Sequence, residues 1–523
     1  MTGTHIFLRH FLRRDRWMFL WWGLGATVLY YSQAVSVEGF YTSQAEFDKA
    51  AASMEHNAAF IAMAGPARAL NTIGGQVTWQ AAAFGAIVAG LMSMFIVGRH
   101  TRVEEETGRD ELLRASAVGR HAPMTAALID SLLANVLLGA LVALSLISFP
   151  LAVADSLALG VGLTLSGWVF TGTALLAAQL TSSARSMYGI AGAVIGLAYA
   201  LRAIGDVSSP VLSWLSPIGW YQAMHAFSGV QWWPALVLLA GAALSTCAAY
   251  AVFGRRDFGA GVLPSRPGPD RASRGLGTGF GLAWRLQRGS VIGWSLGLLF
   301  FGVGYGAIGD DVGDLVGDSK ASKDMFAQGS ADIVAGFYAT AILMLALMAC
   351  GYAIASAMRP RGEETDGRVE SLLATALSRR AWLLGHVAST VIGTVIVVLA
   401  AGVGLGGGYA MVTGDGGALG RFTLGMLGYV APVLVLSGLT RLLYGVRPLA
   451  AFAGWLALTL AVVVMLFGEL LRLPQWLQDL SPFEHLALVP AQDFRWAPFA
   501  VLLAVAVALS AAGQYAFAHR DLR

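Results

Sequence analysis

The feature that most constrains this chain is a series of long stretches containing no Asp, Glu, Lys or Arg. They are Trp17–Val37, Ala81–Gly98, Ser131–Ala154, Ser156–Ala184, Ser186–Leu201, Pro234–Phe253, Gly289–Gly309, Ile333–Met358, Ala381–Gly414, Phe422–Thr440, Pro448–Gly468 and Trp496–Ala518. A helix crosses the hydrocarbon core of a bilayer in roughly 20 apolar residues. These stretches therefore predict an all-α polytopic membrane protein with twelve transmembrane helices. The longer uncharged run 207–254 yields one span, because Pro210, Pro217 and Pro234 interrupt it. Composition agrees. Only 12% of residues are charged and 56% are apolar, whereas soluble domains carry about 25% charged residues. A water-soluble enzyme, a disordered chain and a secreted disulfide scaffold are excluded. Cys247 and Cys350 lie inside apolar runs, so no thiolate metal cluster is expected.

The 34 basic residues are unevenly placed. With the N-terminus inside, the inner segments hold 26 and the outer loops 8, while the acids divide 14 inside and 17 outside. That asymmetry follows the positive-inside rule and predicts cytoplasmic N- and C-termini. Arg13, Arg14 and Arg16 precede a full-length span without a small-residue cleavage motif, so it reads as an anchor rather than a removed signal.

The chain also repeats itself. Glu105-Glu106-Thr107 and Gly108-Arg109-Asp110-Glu111 return as Glu363-Glu364-Thr365, an inserted Asp366, and Gly367-Arg368-Val369-Glu370. The segment Ala115–Arg120 matches Ala374–Arg379, Leu180-Thr181 matches Leu439-Thr440, and Leu215-Ser216-Pro217 matches Leu480-Ser481-Pro482. The ends agree as well: Tyr250-Ala251 with Arg256-Asp257 stands against Tyr515-Ala516 with Arg520-Asp521. Each half holds six spans, so both begin on the same side. The halves are expected to be parallel repeats about a pseudo-twofold axis along the membrane normal, with a pathway between them. The expected organisation is a first half at 1–254, a Pro/Gly/Arg-rich cytoplasmic linker with an amphipathic helix at 255–288, and a second half at 289–523.

The first inner loop of each half mixes both charge signs with apolar residues. Glu105 and Arg109, Asp110 and Arg114, and Glu364 and Arg368 stand four apart, a spacing that supports short surface helices. Before span 1, Ile6, Phe7, Leu8, Phe11 and Leu12 alternate with arginines, and Phe280, Leu282, Trp284 and Leu286 do so before span 7. Both patterns predict interfacial amphipathic helices on the inner leaflet. Phe47, Ala51, Met54, Ala58 and Ile61 predict a small amphipathic cap in the outer loop. The Leu-Ser-Pro segments predict short re-entrant or interfacial outer helices. Gly192/Gly196, Gly293/Gly297 and Gly402/Gly406 allow close helix packing. Asp130 is the main acid at membrane depth, expected as a paired, interfacial carboxylate. His386 is the main histidine there. None of Lys49, Lys320 and Lys323 follows a glycine, so no Gly-Lys-Ser/Thr phosphate loop is present.

Two six-span halves, an amphipathic helix before each, and the repeated Glu-Glu/Gly-Arg-x-Glu loops carry a resemblance over essentially the whole chain. The chain resembles the duplicated permease of bacterial ABC exporters, most nearly the polyketide-antibiotic (tetronasin-type) multidrug exporter permeases. Arg114 and Gly119 stand where the second copy has Leu373 and Ser378, so the two loops need not be equivalent. The resemblance implies a multi-pass subunit of the bacterial inner membrane that is not itself an enzyme. It would bind no cofactor, ATP and Mg being held by two copies of a separate ATP-binding subunit. Those subunits would dock on Glu104, Glu105, Glu106, Arg109, Glu111 and Arg120, and on Glu363, Glu364, Arg368, Glu370 and Arg379. An apolar drug-like substrate would pass outward along Met92, Met94, Phe95, Tyr188, Phe337, Met344 and Trp455. Apart from that substrate, the bilayer and the ATP-binding subunit are the expected partners, and nucleic acid is not. A proton-coupled secondary exporter is the alternative, and would call for a membrane-embedded carboxylate relay. A non-transporting scaffold or sensor would leave the paired loops unexplained.

Overall fold

The computed structural model describes residues 2–40, 43–55, 58–108, 118–257, 259–263, 270–308, 333–467 and 473–521. No strand occurs among them, and the chain divides into two compact units, Met1–Gly268 and Pro269–Arg523. In unit 1 the helices are α1 (Thr4–Phe40), α2 (Gln44–Glu55), α3 (Ala58–Ala64), α4 (Ile73–His100), α5 (Arg102–Glu106), α6 (Ala122–Ser148), α7 (Val153–Leu180), α8 (Ala184–Val207) and α9 (Trp233–Arg255). Unit 2 holds α10 (Gly279–Gly306), α11 (Ile333–Ala357), α12 (Arg359–Thr365), α13 (Arg368–Leu373), α14 (Arg379–Thr413), α15 (Gly417–Gly428), α16 (Val430–Val446), α17 (Ala453–Phe467) and α18 (Trp496–His519). Hydroxyl caps start several of them: Thr72, Ser183, Thr278 and Ser378 each accept a backbone N–H of the first turn.

Among the described residues eleven helices are long and apolar enough to cross a bilayer, so the chain is a polytopic helical membrane protein. The stretch Trp17–Val37, expected as a twelfth, lies in α1. There Trp17, Trp21, Trp22, Tyr30 and Tyr31 dilute the aliphatic content, and α1 is not among the eleven. Helix neighbours follow one plan in both units. The first long helix packs on the second and third, the third on the fourth, the second on the fourth and fifth, and the fourth on the sixth. In unit 2 the fourth is split into α15 and α16 at Tyr429. The break is physical: Pro432 lacks an N–H, and its ring crowds the carbonyl four residues back.

The amphipathic segment expected to lie separately before span 1 is instead the unbroken start of α1. Phe7 and Phe11 are buried against Ala122, Ala126 and Ala127 of α6, so its apolar face is covered by protein rather than lipid. The segment before span 7 is likewise continuous with α10, and Ala283 and Gln287 are buried. The segment expected as a small cap forms α2 and α3, with Phe47, Ala50, Met54 and Phe60 buried. The Leu-Ser-Pro segment of unit 1 gives a short helix at Pro217–Gln222 capped by Ser216, while that of unit 2 has its short helix earlier, at Gln475–Gln478, before Leu480-Ser481-Pro482.

Candidate functional site

The loop following the second long helix of each unit is built around a glutamate that faces inward. In unit 1 the helix breaks at Thr101, whose φ −122° and ψ −88° leave the helical region, and α5 continues from there. Glu105 receives both ends of the Arg256 guanidinium, Nη2 to Oε1 at 2.6 Å and Nη1 to Oε2 at 3.2 Å. Arg102 Nη1 adds a bond to Oε2 at 2.8 Å. Arg256 directly follows α9 and lies over the Phe253 ring, 5.3 Å from its centroid. Arg120, just before α6, donates to the carbonyls of Phe253 and Arg256, both at 3.2 Å.

Unit 2 repeats the arrangement. Arg520 Nη2 donates to Glu364 Oε1 at 2.9 Å and Oε2 at 2.7 Å. Arg520 directly follows α18 and lies 5.5 Å from the Phe517 ring centroid. Arg379, at the start of α14, donates to the Arg520 carbonyl at 2.9 Å. Tyr444 Oη, donating to Glu364 Oε2 at 2.8 Å, fills the place that Arg102 has in unit 1. Each unit thus carries a clamp tying the end of its second helix to the start of the third and the end of the sixth.

The clamps correct the register read from sequence. Glu105 corresponds to Glu364, and Arg120 and Arg379 each stand fifteen residues after their glutamate. No residue is inserted between the copies, and Asp366 occupies the place of Thr107. The expected surface pair of Glu364 with Arg368 is not made, because Glu364 is held by Arg520. Arg368 instead pairs with Glu363 at 3.1 Å and Asp366 at 2.7 Å.

The other docking candidates divide by exposure. Glu104 pairs with Arg14. Glu106 accepts the Ala184 N–H at 2.8 Å, placing its charge at the positive start of α8. Glu363 is buried and also paired with Arg359 at 3.0 Å. Arg368 and Glu370 are exposed on α13, whose Val369 is buried among Trp382, Leu383, Tyr444 and Phe517. Arg109 and Glu111 lie outside the described residues.

The expected pathway residues have different surroundings within each unit. Met92 and Met94 are buried in the core of unit 1, so they pack the bundle. Phe95 and Tyr188 meet at 5.8 Å between ring centroids, with Trp22 beside Phe95 at 6.3 Å. In unit 2, Tyr305 contacts both Phe337, at 6.5 Å, and Met344, whose sulfur accepts its hydroxyl at 3.5 Å. Trp455 is exposed on α17.

A second polar centre, in unit 1, was only partly visible in sequence. Asp15 of α1, His100 of α4 and Asp130 of α6 meet with fully buried side chains. His100 Nε2 lies 2.6 Å from Asp15 Oδ2 and 3.9 Å from Asp130 Oδ2, and Arg99 Nη1 lies 2.9 Å from Asp15 Oδ1. The Phe11 ring stacks on the imidazole at 3.8 Å. Asp130 is thus buried beside His100, and its oxygens have no partner within hydrogen-bond distance. The three ligand atoms lie within 4.8 Å of one another, a set that could take a cation. At the same level of unit 2, Gln287, Ser356, His386 and Thr390 form a hydrogen-bonded set without a carboxylate. Asp15 was masked in sequence by the arginines around it. Arg256 and Arg520 were visible only as repeated chain ends.

Comparison with known proteins places these units. Residues 276–518 match the family model described as the multidrug efflux system permease Rv1217c, C-terminal domain. The whole chain is 39% identical over 526 residues to the multidrug efflux system permease protein Rv1217c of Mycobacterium tuberculosis, covering 100% of this chain and 96% of that protein. Identity at that level over the full length of both proteins shows that this chain belongs to the same family of multidrug efflux permeases.

Proposed function

We propose that the chain is the duplicated permease of an ATP-driven exporter of the ABC type, carrying apolar drug-like molecules out of the cell. On this reading the two halves are parallel repeats about a pseudo-twofold axis, with cytoplasmic termini. Two copies of a separate ATP-binding subunit dock on the inner loops and supply ATP and Mg, while this chain contributes no ATP site. The observation that carries the reading is the clamp built twice, Glu105–Arg256–Arg120 and Glu364–Arg520–Arg379. A paired motor pressing on two loops needs each loop joined firmly to the spanning helices, and a charge-assisted arginine–carboxylate pair, through two nitrogens in unit 1 and one in unit 2, makes such a joint. The surface left for the partner in unit 2 is α13, where Arg368 and Glu370 point outward over a buried Val369.

The test is co-purification with the ATP-binding subunit, followed by ATP hydrolysis and export in the same vesicles. Charge reversal at Arg368 and Glu370 is expected to weaken retention of that subunit. Glu364→Arg is expected to leave it bound but to lower export per ATP hydrolysed, and Glu364→Arg with Arg520→Glu to restore part of the loss. A permease that retains no ATP-binding subunit overturns the proposal.

One observation favours a second reading, proton-coupled export: the buried Asp15–His100–Asp130 set is the kind of carboxylate relay it needs. Export that collapses with an uncoupler while ATP stays constant would select it.

A further inference from the structure

We propose that a groove on unit 2 binds one anionic phospholipid, with its phosphate against Arg441. The groove has a volume of about 530 Å³ and runs between α14, α16 and α18. Leu384, Leu434 and Leu503 line its apolar length, and Arg380 and Arg441 line its polar end.

Arg441 is the unusual member. It lies inside a membrane-spanning helix and is only 2% exposed. Its Nη1 donates to Ser510 Oγ at 2.6 Å, but Nη2 is buried without a hydrogen-bond partner. No Asp or Glu lines the groove. An intramembrane guanidinium is expensive unless something answers its charge, and such residues mark binding sites. The clamp arginines, Arg256 and Arg520, each have a carboxylate; Arg441 has a hydroxyl and a cavity. A phosphate diester supplies what is missing, because its paired oxygens match the guanidinium fork.

The occupant follows from where the groove opens. Its polar end lies at the end of the bundle that carries Arg379, Arg380, Arg447 and Arg520, the level of lipid headgroups, and basic pockets between spanning helices suit such headgroups. Leu384 and Val507 on its sides are exposed, so it is open laterally, as an acyl chain requires. Leu180-Thr181 corresponds to Leu439-Thr440, which puts Ser182 at the place of Arg441 in unit 1, so one such arginine exists per chain. The inference needs the chain to sit in a membrane and does not depend on what powers transport.

Native mass spectrometry of the full chain, released from detergent with phosphatidylglycerol or phosphatidylethanolamine of identical acyl chains, tests it. Wild type is expected to retain one phosphatidylglycerol about tenfold over phosphatidylethanolamine, the scale of one charge-assisted pair. Arg441→Gln is expected to lose the preference, and Arg441→Lys to keep part of it. Should Arg441→Gln not fold, Leu384→Trp, which fills the apolar length and leaves the charge, is expected to lose it too. Equal retention of both lipids by wild type, or an unchanged preference in Arg441→Gln or Leu384→Trp, overturns the proposal. So does retention of an acidic amphiphilic dye at this arginine with no phospholipid.

Discussion

At the scale of single residues, the main lesson concerns carboxylates that sequence places on a surface and the fold turns inward. Glu105 and Glu364 sit in charged loops, and spacing alone offers them neighbours four residues away. Their actual partners stand 151 and 156 residues further on, at the ends of the sixth helices, where no local pattern reaches. Glu105 is 8% and Arg256 3% exposed, so removing one partner strands the other in a dry site. Glu105→Ala is expected to cost about 3–5 kcal/mol, seen as a lower thermal midpoint in detergent. Arg256→Ala should cost a comparable amount, and the double variant less than the two together. Strictly additive losses would refute the clamp as a coupled unit. A second expectation concerns Asp130. Asp130→Asn keeps the shape but removes one buried carboxyl group, and should leave export intact at constant ATP if ATP drives it. Loss of export with unimpaired folding and ATP hydrolysis would instead speak for the proton-coupled reading.

At the scale of helices, uncharged stretches located the long elements well because bilayer thickness and backbone satisfaction leave few choices. Packing partners were less legible, as the glycine pairs illustrate. A Cβ on Gly293, Gly297 or Gly196 would meet nothing within 4 Å. Gly402 and Gly406 do pack against Thr423 and Leu419, and the tightest crossing, α10 on α14, uses pairs that sequence did not single out. There Gly302 and Gly306 face the backbone of Ala401 and Leu405, while Gly404 and Gly408 face Leu299 and Val303. In a chain with 64 glycines the four-residue spacing carries little information, and only the opposed surface tells which pairs work. Gly404→Val should push the two helices apart and cost about 1–3 kcal/mol, whereas Gly293→Val should be near neutral. A matched thermal midpoint for the two variants would count against this crossing as a specific contact. Inner-loop geometry was hidden for a related reason: the arginines that organise it follow the spans and look like ordinary positive-inside flanks.

At the scale of the whole molecule, the chain divides into two units whose long helices share one order of neighbours. How charges were shared between the halves was not foreseeable, since a buried carboxylate–histidine trio and a neutral set leave similar local sequence. Orientation has a direct check. Single cysteines at Thr2 and Asp521, in a Cys247→Ser, Cys350→Ser background, should both react with an impermeant thiol reagent only from the cytoplasmic face. A cysteine at Lys49 should react only from the opposite face. Labelling of the two ends from opposite sides would exclude six spans per half.

Among the described residues the clamp is built twice, but the Asp15–His100–Asp130 set and the Arg441 groove are each built once. A transporter assembled from two identical half-length subunits would carry every such feature in duplicate, at symmetric places. Joining the halves in one polypeptide releases them from that equality. One unit can hold the buried Asp15–His100–Asp130 set and the other the Arg441 groove, while both keep the same clamp. Any ligand counted at either centre should therefore saturate at one per chain, and the working cycle need not treat its two sides alike.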